Sequence, residues 1–82
     1  MANTKSEFPS VISTKKRVGK IISARRKELG LEQKELALYS QVSESILSNL
    51  ENGKSNTTIN TLEKILEVLG MELAVEIKKK QG

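Results

Sequence analysis

The chain lacks the side chains on which most enzymes depend. Its 82 residues include no cysteine, no histidine and no tryptophan, and only one proline. Without cysteine there can be no disulfides or thiolate metal sites, and without histidine the commonest general base is missing. The serine, lysine, tyrosine and glutamate residues show neither a nucleophile–base spacing nor a glycine-rich phosphate loop. We therefore expect no enzyme activity, no metal and no cofactor.

Aromatic residues and long apolar runs are also scarce. Phe8 and Tyr39 are the only aromatic residues, so aliphatic side chains must build the core, as they do in helical bundles. A chain of this length forms one small domain, which leaves little room for a deep cleft. The N-terminal region has no apolar stretch of the kind that a signal peptide or membrane span needs. These features predict a cytoplasmic protein without a membrane partner.

The positive charge is concentrated in the first third of the chain. Residues 1–30 contain eight lysines and arginines against two glutamates, whereas residues 31–70 contain three against six, and the whole chain carries +4. A basic surface favours contact with nucleic acid, because cationic side chains release the counterions condensed on phosphates. Solubility alone is the alternative explanation for a net charge of this size.

Apolar side chains that recur every three or four positions predict four helices, at about residues 14–29, 33–40, 44–51 and 59–69. Gly30 and Gly70 end the first and the last, because glycine readily adopts the left-handed conformation that terminates helices. Ser43 and Thr58 have hydroxyls suited to cap the third and the fourth. A helical domain is therefore predicted at residues 15–70.

One face of each predicted helix is expected to contact a shared core. These apolar faces comprise Val18, Ile21, Ile22 and Leu29 in the first helix, Leu36, Ala37 and Tyr39 in the second, Ile46, Leu47 and Leu50 in the third, and Ile59, Leu62, Ile65, Leu66 and Leu69 in the fourth. The pattern predicts a mainly α protein.

The two ends of the chain have different patterns. Residues 1–14 are polar and contain the only proline, which predicts a flexible N-terminal arm. Residues 71–78 alternate between apolar and mostly polar side chains and therefore predict a half-buried β-strand. Residues 79–82 are expected to be a basic, solvated tail. The apolar positions of the strand are Met71, Leu73, Val75 and Ile77.

A single strand leaves its backbone N–H and C=O groups without partners. We expect the strand to pair with the same strand of a second copy across a two-fold axis, which makes the protein a homodimer with an intermolecular sheet. Pairing within one chain, with residues 10–14 around Val11 and Ile12, is the alternative. A dimer with two DNA-reading units predicts a palindromic operator.

Two short helices joined by a tight turn, the second with a polar outer face, are typical of a helix-turn-helix that reads DNA. The run QKELALYSQVSESILSNLENGK, at residues 33–54, resembles the Cro/phage-repressor (Xre) class, and the similarity extends over residues 18–70. The segment SNLEN at 48–52, with NTT at 56–58 and the terminal strand, is most similar to HipB-type antitoxins.

The resemblance implies a four-to-five-helix, lambda-repressor-like bundle that binds DNA and dimerises through an intermolecular sheet. For the HipB-type subgroup it also implies repression of the protein's own operon and capture of a HipA-type kinase toxin. A stand-alone phage-type repressor, or a protein-interaction module without DNA function, remains open as an alternative.

The third helix carries the predicted base contacts, because short polar side chains there can meet base edges in the major groove. Asn49 could pair with adenine through two hydrogen bonds, whereas Glu44 repels phosphates and can accept only from the amino group of cytosine. We therefore rank Ser45 and Asn49 above Glu44. The alternative is an ordinary solvated helix face. The predicted base-reading residues are Glu44, Ser45, Ser48 and Asn49.

A second group of residues is predicted to contact phosphates and to position the protein on the duplex. Gln33 opens the second helix, where its side-chain amide and free backbone N–H groups can meet a phosphate. Four more follow from the resemblance: Ser43, Asn52, Lys54 and Asn56. The others are basic residues in or near the first helix, for which a solvated basic face is the alternative: Lys15, Lys16, Arg17 and Lys20.

The resemblance also implies a structural ion pair between Arg26 and Glu51, which would link the first helix to the end of the third. Two positions depart from the family pattern. Gln41 stands in the turn where the family usually has glycine, and Glu32 stands where serine or threonine normally caps the second helix. A non-glycine residue at positive φ costs roughly 1 kcal/mol, which a packed bundle can absorb.

Overall fold

In the computed structural model, which describes residues 14–77, four α-helices follow one another. They are α1 (Thr14–Glu28), α2 (Gln33–Ser40), α3 (Glu44–Glu51) and α4 (Ile59–Val68). The mainly helical prediction and the approximate position of each helix are confirmed. None of these helices has the length and apolar character needed to cross a membrane. The predicted arm and basic tail lie almost entirely outside the described residues.

Local hydrogen bonds set the ends of the helices. The Ser43 hydroxyl accepts from the Ile46 N–H at 3.0 Å, and the Thr58 hydroxyl accepts from the Thr61 N–H at 3.1 Å. Both bonds satisfy N–H groups that a helix leaves without an internal partner. Gly30 follows α1 in the left-handed conformation, with a φ of 72°. The predicted caps and the first predicted stop are therefore confirmed.

The N-terminus of α2 is capped without a serine or threonine. Glu32 occupies the N-cap position in an extended conformation. Its backbone N–H donates to the carboxylate of Glu35 at 2.8 Å, which is the interaction that the third helical residue supplies in a capping box. The departure at Glu32 thus leaves the helix boundary intact.

The core lies where α2, α3 and α4 meet and where α1 packs on α3. Its buried side chains are Ile22, Leu36, Ala37, Leu47, Leu50, Ile65, Leu66 and Leu69. Each helix contributes to it, as the apolar stripes predicted. Side chains at the edges of the stripes remain partly in solvent because a single small core can cover only a narrow face of each helix.

Five residues of the predicted stripes are more exposed than expected, and their assignment to the core was wrong. They are Ile21, Leu29, Tyr39, Ile46 and Ile59. On α2 the buried positions are Leu36, Ala37 and Ser40, which share one side of the helix. Tyr39 lies about 100° around the helix from that side and is 56% exposed.

Helices α1 and α3 approach each other unusually closely at Gly19. A methyl group added there would lie 2.5 Å from the backbone oxygen of Leu50 and 2.6 Å from that of Glu51. Both oxygens belong to the last turn of α3. Only glycine therefore permits α1 to pack at this distance, and this contact positions the C-terminal end of α3.

The predicted C-terminal strand is absent from the described chain, where residues 71–77 are neither helix nor strand. A β-strand is stabilised by hydrogen bonds to a neighbouring strand, and the described part of this single chain provides no such neighbour. The intrachain alternative depends on residues 10–13, which lie outside the described range. Val75 and Ile77 are 95% and 97% exposed in this segment.

Candidate nucleic-acid interface

Helix α3 has one apolar side and one polar side. Leu47 and Leu50 are buried against the other helices and hold α3 on the bundle. The opposite side carries all four residues predicted to read bases. Three of them are exposed and Ser48 is partly buried: Glu44, Ser45, Ser48 and Asn49. The exposed side chains of Glu44, Ser45 and Asn49 can therefore reach a ligand as large as a duplex.

A tight turn between α2 and α3 sets the angle at which this face is presented. Gln41 adopts the left-handed conformation, with φ 62° and ψ 40°, and is the only described non-glycine residue with a positive φ. The Val42 N–H donates to the Ala37 carbonyl at 3.0 Å, which closes the end of α2. The left-handed turn is therefore present, with glutamine at the position where the resemblance implies glycine.

Arg26 and Glu51 connect α1 to the last residue of α3. The guanidinium donates two parallel hydrogen bonds to the carboxylate, from Nε to Oε2 at 2.8 Å and from Nη2 to Oε1 at 2.9 Å. Its Nη1 also donates to the Leu31 carbonyl at 2.9 Å. The side chains are only 11% and 5% exposed. This bidentate geometry fixes both the distance and the orientation of the two helices.

The surroundings of Glu51 keep its carboxylate charged. Burial raises the pKa of Glu51, but hydrogen bonds from Arg26, Gln33 and Ser23 and the positive charge of Arg26 outweigh burial, so the net pKa lies below its ordinary value. The same hydrogen bond raises the pKa of Arg26, although burial opposes that change. The pair is therefore fully ionised at neutral pH.

Gln33 has a role that the sequence did not reveal. Its side-chain Nε2 donates to Glu51 Oε1 at 3.1 Å, so the first residue of α2 is tied to the last residue of α3. Gln33 remains partly exposed at the start of α2. An amide nitrogen has two protons, and the second can still be donated to a phosphate. The ion pair thus orients a residue predicted to contact DNA.

The loop after α3 brings further predicted contacts next to α1. Gly53 has a φ of 71°, and a methyl group added to it would lie 2.9 Å from the Cα of Lys16. The first turn of α1 and this loop therefore occupy the same end of the molecule. The loop contains three predicted phosphate contacts, all exposed: Asn52, Lys54 and Asn56.

The remaining predicted phosphate contacts are also accessible. Ser43 is exposed, and because its oxygen accepts the capping bond its proton is still available for donation. The basic residues at the start of α1 are exposed as well: Lys15, Lys16, Arg17 and Lys20. Lys16 lies against Gly53, so the basic residues at the start of α1 are close to the loop that follows α3.

Comparisons with known proteins agree with this architecture. The family model HTH_3, described as Helix-turn-helix, matches residues 22–75. The HTH-type transcriptional regulator PuuR of Escherichia coli is 38% identical over 56 residues, or 68% of this chain and 30% of PuuR. The immunity repressor protein of Bacillus phage phi105 is 37% identical over 57 residues, or 70% of this chain and 40% of the repressor.

The fold is also similar to a solved regulator. The crystal structure of the clp gene regulator ClgR from Corynebacterium glutamicum matches with a TM-score of 0.66 and 30% identity, over 70% of this chain and 61% of that one. The chain thus spans less than two thirds of each of these three proteins. The family match includes α2, the turn and α3, and the chain belongs to the helix-turn-helix family HTH_3.

Proposed function

We propose that this protein is a sequence-specific DNA-binding transcriptional regulator that inserts α3 into the major groove. The observation that carries the proposal is the exposed polar face of α3 on a helix anchored from behind by Leu47 and Leu50. An α-helix fits the major groove, where each base pair presents a distinct pattern of donors and acceptors. Membership of the helix-turn-helix family supports the same function.

The residues on α3 would divide between base reading and discrimination. Asn49 can form two hydrogen bonds with an adenine, and the hydroxyls of Ser45 and Ser48 can donate to or accept from base edges. Glu44 would act mainly against wrong sequences, because its carboxylate tolerates only an amino group such as that of cytosine. Asn49 and Ser45 are therefore the principal specificity residues in this proposal.

Around α3, a ring of donors would fix the protein on the duplex without reading its sequence. Lys54 can neutralise a phosphate, and the side-chain amide of Gln33 is held near the start of α2 by its bond to Glu51. The proposed phosphate contacts are Gln33, Ser43, Asn52, Lys54, Asn56, Lys15, Lys16, Arg17 and Lys20.

We propose further that two copies bind a palindromic operator. Leu73, Val75 and Ile77 are 44%, 95% and 97% exposed in a segment with a period of two. Pairing this segment with its equivalent in a second copy would satisfy the backbone and cover the apolar side chains, including Met71. The operator would then have half-sites about 34 Å, or a multiple of this, apart. Sedimentation of the full chain with and without DNA tests the dimer.

The finer proposal is an autorepressing antitoxin that captures a HipA-type kinase toxin. It is supported by the similarity of residues 48–52 and 56–58 to HipB-type antitoxins. The stand-alone phage-type repressor is the second candidate, and the similarity to a phage immunity repressor favours it. Co-expression with a kinase-like protein encoded beside this gene separates the two, because only an antitoxin would copurify with the kinase and relieve its toxicity.

Selection from random duplexes tests the main proposal directly. The full chain should enrich one palindromic sequence, and its affinity for that sequence should fall with salt at a log-log slope near −0.9 for each phosphate neutralised. Asn49→Ala should lose about 1–3 kcal/mol of binding free energy on the selected duplex and little on scrambled DNA. Lys54→Ala should weaken both duplexes equally and reduce the salt slope by about one.

Two results would contradict this function. One is that no sequence is enriched and no duplex binds with salt-dependent affinity, which would favour a protein-interaction module without DNA function. The other is that Asn49→Ala loses the same binding affinity for selected and scrambled DNA, which would mean that α3 does not read the sequence. Thermal unfolding of each variant serves as the control, because both side chains are exposed and their loss should leave the fold unchanged.

A further inference from the structure

Ile46 is an apolar residue on the otherwise polar, exposed part of α3. Its neighbours Leu47 and Leu50 are 0% and 6% exposed, but Ile46 is 43% exposed. A single exposed isoleucine on a protein surface has no special meaning. Ile46, however, lies on the helix proposed to enter the major groove, where its exposed part can contact a base rather than the bundle.

The surroundings of Ile46 place its open side between two proposed DNA contacts. Asn49 follows three residues later, so the two side chains lie on the same flank of α3. On the other side, Ile46 borders a shallow open hollow of about 230 Å³ that it shares with the loop before α4, including Asn56. A duplex that contacts Asn49 with a base and Asn56 with a phosphate therefore passes over Ile46.

The chemistry of the major groove offers one apolar group at the edge of an unmodified base, the C5 methyl of thymine. We propose that Ile46 reads a thymine by packing against this methyl group, next to the base pair read by Asn49. The inference rests on the proposed DNA-binding function and adds a specificity residue to it. Ile46 would thereby distinguish T·A from C·G at one position of each half-site.

The test is a double-mutant cycle between the protein and the DNA. Each thymine of one half-site in the selected duplex is replaced in turn by uracil, which lacks only the C5 methyl group. The wild-type chain should bind about fourfold more weakly when one particular thymine is replaced, because burial of one methyl-sized group is worth roughly that factor. Ile46→Ala should bind the thymine and uracil duplexes equally at this position.

A matched control separates base reading from general effects. Ile21 is 48% exposed, has the same side chain and lies on α1, where it borders a hollow that it shares with Leu62 and Met71 and with no residue of α3. Ile21→Ala should keep the full fourfold penalty at the same thymine. Ile46→Val, which keeps a branched apolar side chain and most of the packing, should show an intermediate penalty. The cycle compares two duplexes with one protein, so a loss of stability cancels.

The outcomes distinguish this inference from the proposed function. A wild-type chain that selects a sequence but shows no uracil penalty at any thymine overturns the role of Ile46 and leaves DNA reading intact. A penalty that persists unchanged in Ile46→Ala has the same meaning. If no duplex is selected at all, the proposed function fails and the role of Ile46 fails with it.

Discussion

Replacement of Gly19 by alanine should destabilise the protein, although alanine is the better helix former. In an open helix, Gly→Ala is favourable by about 1 kcal/mol. At Gly19 the new methyl group would lie 2.5 Å from the Leu50 oxygen and 2.6 Å from the Glu51 oxygen. Both are backbone atoms, so relief requires α1 to move away from α3 by about 1 Å to restore van der Waals contact.

The magnitude follows from two opposing effects. Overpacking of a core costs about 1–3 kcal/mol, and a clash with two backbone atoms belongs at the upper end of that range. Subtraction of the gain in helix propensity leaves a net loss of about 2 kcal/mol. The same movement would displace the last turn of α3, so DNA affinity should fall on every sequence alike.

Urea unfolding followed by circular dichroism at fixed protein concentration measures this effect as a lower midpoint with an unchanged slope. Gly30→Ala is the control, because Gly30 has a positive φ but no atom within 4 Å of the added methyl group. Its cost of about 0.5 kcal/mol therefore contains backbone strain, partly offset by the lower entropy of the unfolded chain, and no clash. A midpoint for Gly19→Ala above that of the wild type would refute the close approach of α1 and α3.

Substitutions at three further positions test other features of the structure. Gln41→Gly should stabilise the fold by about 0.5 kcal/mol, because it removes left-handed strain but adds freedom to the unfolded chain. Gln41→Ala should bring no such gain, and equal unfolding midpoints for the two variants would contradict the strain. Ser40→Ala should raise the melting temperature by an amount equivalent to about 1 kcal/mol, because the buried hydroxyl has no hydrogen-bond partner among the described residues; a decrease would reveal a partner. Glu51→Gln should cost about 3 kcal/mol at pH 7 by leaving Arg26 unpaired. Because the folded pKa of Glu51 is lowered, its stabilisation is present above the ordinary value of 4.5 and is lost as the pH falls through the folded value. The difference in the free energy of unfolding between the wild type and Glu51→Gln should therefore become smaller in acid. A constant difference from pH 7 to pH 3 would contradict the charged pair.

Short-range signals in the sequence predict approximately where each helix begins and ends. A helix cap joins groups that are three residues apart in the chain, as in the bond between Ser43 and the Ile46 N–H. A left-handed stop at Gly30 depends on a single residue. Such signals need no tertiary partner, so they can be read from the order of the amino acids. The polar face of α3 follows in the same way from a period of 3.6 residues.

Packing between the helices settles which of these residues touch residues distant in the chain. Helical periodicity assigns Ile46 and Tyr39 to an apolar side, but the width of the core leaves both exposed. Gly19 approaches Glu51, which is 32 positions away in the chain, and Gln33 donates to Glu51, which is 18 positions away. The strand predicted at residues 71–78 illustrates the same point. Alternation of apolar and polar residues indicates which face is apolar, but a strand forms only where hydrogen-bonding partners are present. Periodicity reports which side of an element is apolar, and only packing decides what that side meets.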